Sequence, residues 1–294
     1  MRRRDLLAGA AALGATFSLT GCASAGRAAG TSADVRLAAM LERHARALRD
    51  EEGGPDRLGD YSLAARARAR RANAARLVEL NGVDRSALSP AAALDYDTAR
   101  FVYGAMDDQY GRYGFSDINL RPSPYVVSQM NGAYYWLPDG IAGRSPLANE
   151  ADAERYLDKL RQLVVALDQE TEQIAHDAGL GVVPPAFILA KTVAQIATLR
   201  DMPAASNPLI GPAVARARAA GLNDLESRAA AIFAAQVAPA LTRQMAALDA
   251  LRPRADDRAG VWAKPDGEAY YASGLHSNTT AGYAPAELHR LGLT

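Results

Sequence analysis

Five side chains have the widest chemical reach: Cys22, the single cysteine, and the four histidines His44, His176, His276 and His289. A zinc hydrolase of the helical type needs two imidazoles one turn apart, so that both face one metal, with a glutamate beside them to activate water. No two of these histidines stand at i, i+4. Glu172 and His176 do have that spacing and share a helix face, yet with Asp168, Glu170 and Asp177 around them a surface ion pair is the plainer reading. His276 and His289 flank the final turn and could converge in space; a turn histidine and a solvated helix histidine are the bland alternative. Neither a G-x-S-x-G elbow nor the phosphate-binding patterns G-x-x-x-x-G-K-[ST] and G-x-G-x-x-G occur. No catalytic residue and no metal ligand is therefore assigned.

Cys22 has a more specific use. Arg2-Arg3-Arg4 is a basic start of twin-arginine form, with Arg3 and Arg4 as the pair, and residues 6–19 are weakly apolar. Those 14 residues fall short of the roughly 20 that span a bilayer, so they read as an export signal and not as a membrane helix. The stretch ends in Leu19-Thr20-Gly21-Cys22, which matches a bacterial lipobox: small residues before a thiol that accepts diacylglycerol before cleavage. Arg3, Arg4, Leu19 and Gly21 are the expected export residues and Cys22 the expected lipidation site. The twin-arginine route carries folded proteins, so folding would precede export. Two or three acyl chains anchor stably, at about 0.8 kcal/mol for each buried CH₂. The expected location is the cell envelope, at the periplasmic face of the outer membrane in a Gram-negative cell, because Ala23 and not Asp follows the cysteine.

Composition narrows the partners. Hydrophobic residues make up 49% and charged residues 22%, as in soluble globular chains. Basic and acidic residues balance at 33 each, and removing residues 1–21 takes away three arginines and one aspartate, leaving a charge near −2. That gives no electrostatic reason to expect nucleic acid as a partner.

Residues 23–33 are small and polar and read as a flexible tether; residues 34–294 read as one helical domain. Helices are expected over 34–52, 62–80 and from Ser89-Pro90 to about Tyr113, with Ser89 as N-cap. Arg66, Arg68, Arg70, Arg71 and Arg76 point round several faces of the second helix, the pattern of a solvated surface. Tyr96, Tyr103 and Tyr110 recur every seven residues, so they either line a peptide cleft or seal a seam between helices. Residues 114–145 are punctuated by proline and glycine; 125–127 and 133–137 suit either extended segments in a hairpin turning at Asn131-Gly132 or a loop laid across the helices. The strongest helical stripe lies in 149–178, through Tyr156, Leu160, Leu163, Leu167 and Ile174. A helix from Pro184-Pro185 to Arg200 follows, then a proline-marked connection, and a helix over 224–251 that Pro239 kinks. The fold class is all-α, a multi-helix array with a minor irregular or hairpin segment near 114–145.

Three runs resemble the bacterial family of domain of unknown function 885: Pro265-Asp266-Gly267 followed by Tyr270-Tyr271, then Thr279-Thr280, then Pro285-x-Glu287-Leu288-His289-x-Leu291-Gly292-Leu293. Leu58-Gly59-Asp60 and Val83-Asp84 with Leu88-Ser89 resemble its N-terminal part. The resemblance implies zinc metallopeptidase-like relatives of the gluzincin type, with an H-E-x-x-P-G-H motif downstream of this point and a peptide substrate. That motif does not occur here. The expectation is a truncated member whose helices form one wall of a cleft, with zinc entering only with the catalytic half. The alternative is a complete, non-catalytic envelope lipoprotein that binds a peptide or protein partner. Where the family usually has Thr as N-cap before Pro-x-Glu, this chain has Ala284, so its last helix is expected to be weakly capped.

Overall fold

Helices carry nearly all the regular structure. In chain order they are α1 (Ser32–Glu51), α2 (Leu63–Asn81), α3 (Pro90–Arg112), α4 (Ala133–Pro138), α5 (Glu150–Gly179), α6 (Ala186–Asp201), α7 (Gly211–Ala219), α8 (Leu225–Ile232), α9 (Ala238–Asp249), α10 (Gly267–Thr279) and α11 (Pro285–Gly292). Between α1 and α2 a two-residue antiparallel ladder pairs β1 (Gly53–Gly54) with β2 (Arg57–Leu58). The computed structural model describes residues 31–293 except 52, 55 and 116–122. Arg3, Arg4, Leu19, Gly21 and Cys22 lie outside the described residues, as do residues 23–30 of the tether.

The stripe read in the sequence becomes the axis of the molecule. Tyr156, Leu160, Leu163 and Leu167 of α5 are fully buried, each contributing roughly 1.5–3 kcal/mol against exposure. Asn149 caps α5 by accepting from the Asp152 amide at 3.0 Å. Helices α4, α8 and α9 pack on α5, and α6 packs on α9. A second cluster joins α1, α2 and α3 through Leu37, Leu80, Tyr96 and Tyr103. The tyrosines at 96 and 103 thus seal an inter-helix seam; the side chain of Tyr110 lies outside the described residues. Helix α1 starts at Ser32, two residues before the expected boundary. The Thr31 hydroxyl accepts from the Asp34 amide (3.1 Å) and Asp34 accepts from the Thr31 amide (3.0 Å), a reciprocal cap.

Four local expectations are corrected. Residues 133–137 are helical and not extended: Gly132 takes φ 121° and the buried Glu170 carboxylate accepts from the Ala133 amide at 2.7 Å, so a negative charge meets a helix N-terminus. The turn before it closes between Ser128 and Asn131, with residues 129 and 130 at its centre, two residues earlier than expected. The connection after Arg200 contains α7, with Pro212 in its first turn, where a missing N–H costs nothing. Residues 225–249 form one helical run, and its departure from α-geometry is a π-helical turn at Phe233–Val237, which ends two residues before Pro239. The wider turn accommodates a ring that cannot donate a hydrogen bond.

The arginines of α2 are also less solvated than their spread suggests. Arg76 is buried and paired with Glu51, and Arg66 reaches across to α5. Its guanidinium donates to Asp177 Oδ1 at 2.9 Å, to Gln173 and to the Gly114 carbonyl. This contact ties the two clusters together, since the Asp177 side chain is only 4% exposed. Arg66→Met should cost about 3–5 kcal/mol in urea unfolding, because it strands a buried carboxylate. Arg66→Met with Asp177→Leu should recover most of that loss, and a double variant no better than the single would show that the charge pairing is not the binding term.

Helix α11 is the opposite case. None of its residues is buried and Ala284 supplies no capping bond. At eight residues it is below the roughly 12–15 that are marginal alone. Amide exchange should be fast over 285–292 and slow over 156–174, and Ala284→Thr should slow it locally. Equal protection in both segments would refute the weak-cap account.

Candidate functional site

One face of α3 is only partly covered by the described residues over three turns. Asp97, Arg100, Phe101, Gly104, Ala105 and Asp108 follow i, i+3, i+4, i+7, i+8, i+11 and so share that face. With Leu77 and Asn81 of α2 and Ser273 and His276 of α10 they line an open groove of about 580 Å³, within the range that takes small ligands. Its floor is small and apolar, and its charges stand along the sides.

The polar groups have distinct states. Asp97 is engaged twice by Arg85, at 2.8 and 2.5 Å; that hydrogen bond, with the charge of Arg100, holds its carboxyl below the ordinary carboxylate range. Arg100 is exposed and makes no side-chain hydrogen bond among the described residues. Asp108 accepts from Ser273 Oγ at 2.7 Å, and Gln109 reaches Ser277 at 3.5 Å, so α10 is held against α3. His276 lies 5.2 Å from the Phe101 ring, centroid to centroid. Its Nδ1 is 3.1 Å from the Ala281 carbonyl and must carry a proton to donate there, which leaves Nε2 as its other nitrogen.

The turn that holds His276 is strained. Thr280 closes α10 with φ 56°, and its amide donates to the His276 carbonyl at 2.9 Å. A β-branched residue in the left-handed region is a genuine outlier. Such strain concentrates at binding and catalytic positions.

A family model described as "Bacterial protein of unknown function (DUF885)" matches residues 44–294. The chain belongs to that family. A solved structure named "the putative lipoprotein from Colwellia psychrerythraea" superposes with a TM-score of 0.77 at 18% identity, over 89% of this chain and 48% of that one. At that identity the likeness shows the fold alone, and this chain spans about half the relative's length. No curated protein matches the chain.

The described residues of this DUF885 member do not fit the zinc site that the family resemblance implies. His44 is buried, bonded through Nε2 to Glu79 at 2.8 Å and set edge-on to Tyr103; that bond, with Arg43, keeps the Glu79 carboxyl below its ordinary range. His176 pairs with Asp177 at 2.9 Å rather than with Glu172. Glu170 and Asp177, read as surface groups, are buried. His289 is exposed on α11. Among the described residues no three His, Cys, Asp or Glu side chains come together as a metal site. A small, partly open space of about 10 Å³ beside Tyr125 and Asp177 has room for about one water; burial pushes the Tyr125 hydroxyl up to about 12.

Of the histidines weighed in the sequence, only His276 borders the groove. Asp97, Arg100 and Asp108 were missed. One signal was available: Gly104 sits in the middle of α3, where glycine costs about 1 kcal/mol relative to alanine, and a Cβ there would meet nothing within 4 Å. Thr280→Gly should raise stability by about 1 kcal/mol by removing the left-handed penalty, read as an increase in Tm. An unchanged or lower Tm would mean that the turn stores no strain.

Proposed function

We propose that this chain is an exported, lipid-anchored envelope protein whose helices form the substrate-facing wall of a metallopeptidase-like protein and do not hydrolyse anything by themselves. The observation that carries the reading is the common register of Arg3-Arg4, the 14-residue apolar stretch and Leu19-Thr20-Gly21-Cys22. Family membership supports it, and so does a structural neighbour that is itself named as a lipoprotein. No described helix is long and apolar enough to cross a membrane. Acyl chains on Cys22 would be the attachment, with residues 23–31 separating it from α1. The zinc that the resemblance implies would be held by the part of the relative's length that this chain does not span. The imidazoles present here are engaged otherwise or stand apart, so they generate no metal-bound hydroxide.

A second reading, a non-catalytic lipoprotein that binds a peptide or protein partner, is favoured by the groove on α3, which is open and lined by both charge signs.

Metabolic palmitate labelling should mark the wild-type chain and not Cys22→Ser, and lysines in place of Arg3 and Arg4 should stall export. Equal labelling of both proteins would end the anchoring claim; unaffected export would assign the general secretory route. The purified chain should retain no stoichiometric zinc after dialysis and cleave no peptide. Tight zinc at one equivalent would return attention to Glu172, His176, His276 and His289.

A further inference from the structure

We propose that the α3 groove binds a short extended peptide through its two charged ends. This deepens the peptide-binding reading and rests on it. Two groups of opposite charge, Arg100 and Asp108, keep open hydrogen-bonding positions among the described residues, with the charge of Arg112 also near Asp108. Asp97 is already neutralised by the bidentate Arg85, which leaves Arg100 as the cation at that end of the groove, with the Asn81 amide also lining it. At the other end Asp108 uses Oδ2 for Ser273 and keeps Oδ1 for a second donor. Arg100 and Asp108 are eight residues apart on one helix face, about 12 Å at about 1.5 Å per residue. An extended chain of about four residues, at about 3.3 Å each, covers that distance.

The chemistry of the walls matches such a ligand. A terminal carboxylate would meet the guanidinium, which binds carboxylates in bidentate fashion. A terminal ammonium would meet Asp108. Between them the backbone would lie over Gly104 and Ala105, where a hydrogen and a methyl let it approach closely, and its side chains would rest on Phe101 and Leu77. His276, held through Nδ1 by the Ala281 carbonyl, would offer Nε2 to a peptide N–H. Recognition would depend on termini and length more than on sequence, because no deep side-chain compartment lines the groove.

The test uses the full chain in detergent and calorimetric titration with tetraalanine, which has free ends and no side-chain charge. Wild type is expected to bind it, and tetraalanine acetylated and amidated at its ends at least tenfold more weakly. Gly104→Leu should abolish binding by filling the floor, while Gly104→Ala confirms that α3 accepts a side chain there, with helical ellipticity and Tm retained. Arg100→Gln and Asp108→Asn should each weaken free tetraalanine about tenfold and leave the blocked peptide unchanged. Absence of tetraalanine binding by wild type would overturn the proposal, as would binding by folded Gly104→Leu equal to wild type, or equal affinity for free and blocked peptides. Each of these failures would leave palmitate labelling at Cys22 intact, whereas loss of labelling with tetraalanine binding preserved would remove the anchoring claim alone.

Discussion

Asp177 sits under the C-terminal end of α5 with its side chain almost wholly out of solvent, and a carboxylate in that position must have a cation. Arg66 meets the need from α2, and in reaching it also binds Gln173 and the Gly114 carbonyl. Three separate parts of the chain are thereby set in register: the helix before α3, the loop after it and the central helix. The helices α1 to α3 would otherwise meet the α5 assembly through few apolar groups. Gln162, Gln169 and Gln173 of α5 also bond the backbone of residues 56–61 ahead of α2. The relative placement of these helices, and with it the orientation of the α3 face, depends on a polar seam of which the Arg66 contact is the charged part.

The groove follows from that placement. Helix α3 packs α1 and α2 on one side and carries α10 on another, which leaves a strip between α2 and α10 uncovered. Natural helices seldom place glycine at such a position without a reason of packing or access, because it weakens the helix. Thr280 adds a second local cost, a left-handed backbone at a β-branched residue, and it lies one helical turn from His276. Gly104 lines the open space itself, and Thr280 stands behind one of its lining residues, in the turn that His276 joins; both are unfavourable local choices, as expected where access and side-chain position outweigh local stability.

Fold and family carry less. The helical array is shared at 18% identity with a protein about twice as long, and a shared fold does not transmit chemistry. The family description names no reaction. What the chain offers physically is a helical body in which His44 and His176 pair with carboxylates and His276 with a carbonyl, and a groove lined by both charge signs.

Most of the helical architecture was legible because it rests on local and periodic signals. The stripe of 149–178, the Ser89-Pro90 start and the Asn149 cap depend on neighbours within a few residues, and the structure keeps them. The Arg3-Arg4 pair and the Leu19-Thr20-Gly21-Cys22 run are local patterns of the same kind, legible without any tertiary contact. Tertiary structure decided everything that depends on distant partners. Residues 133–137 became helical because Glu170, far along the chain, met the Ala133 amide. Glu170 and Asp177 went inside because Gln244 and Arg66 came to meet them. The groove drew residues from α2, α3 and α10 that no single stretch of sequence unites. Periodicity tells which face a residue occupies; only packing tells whether another helix covers that face.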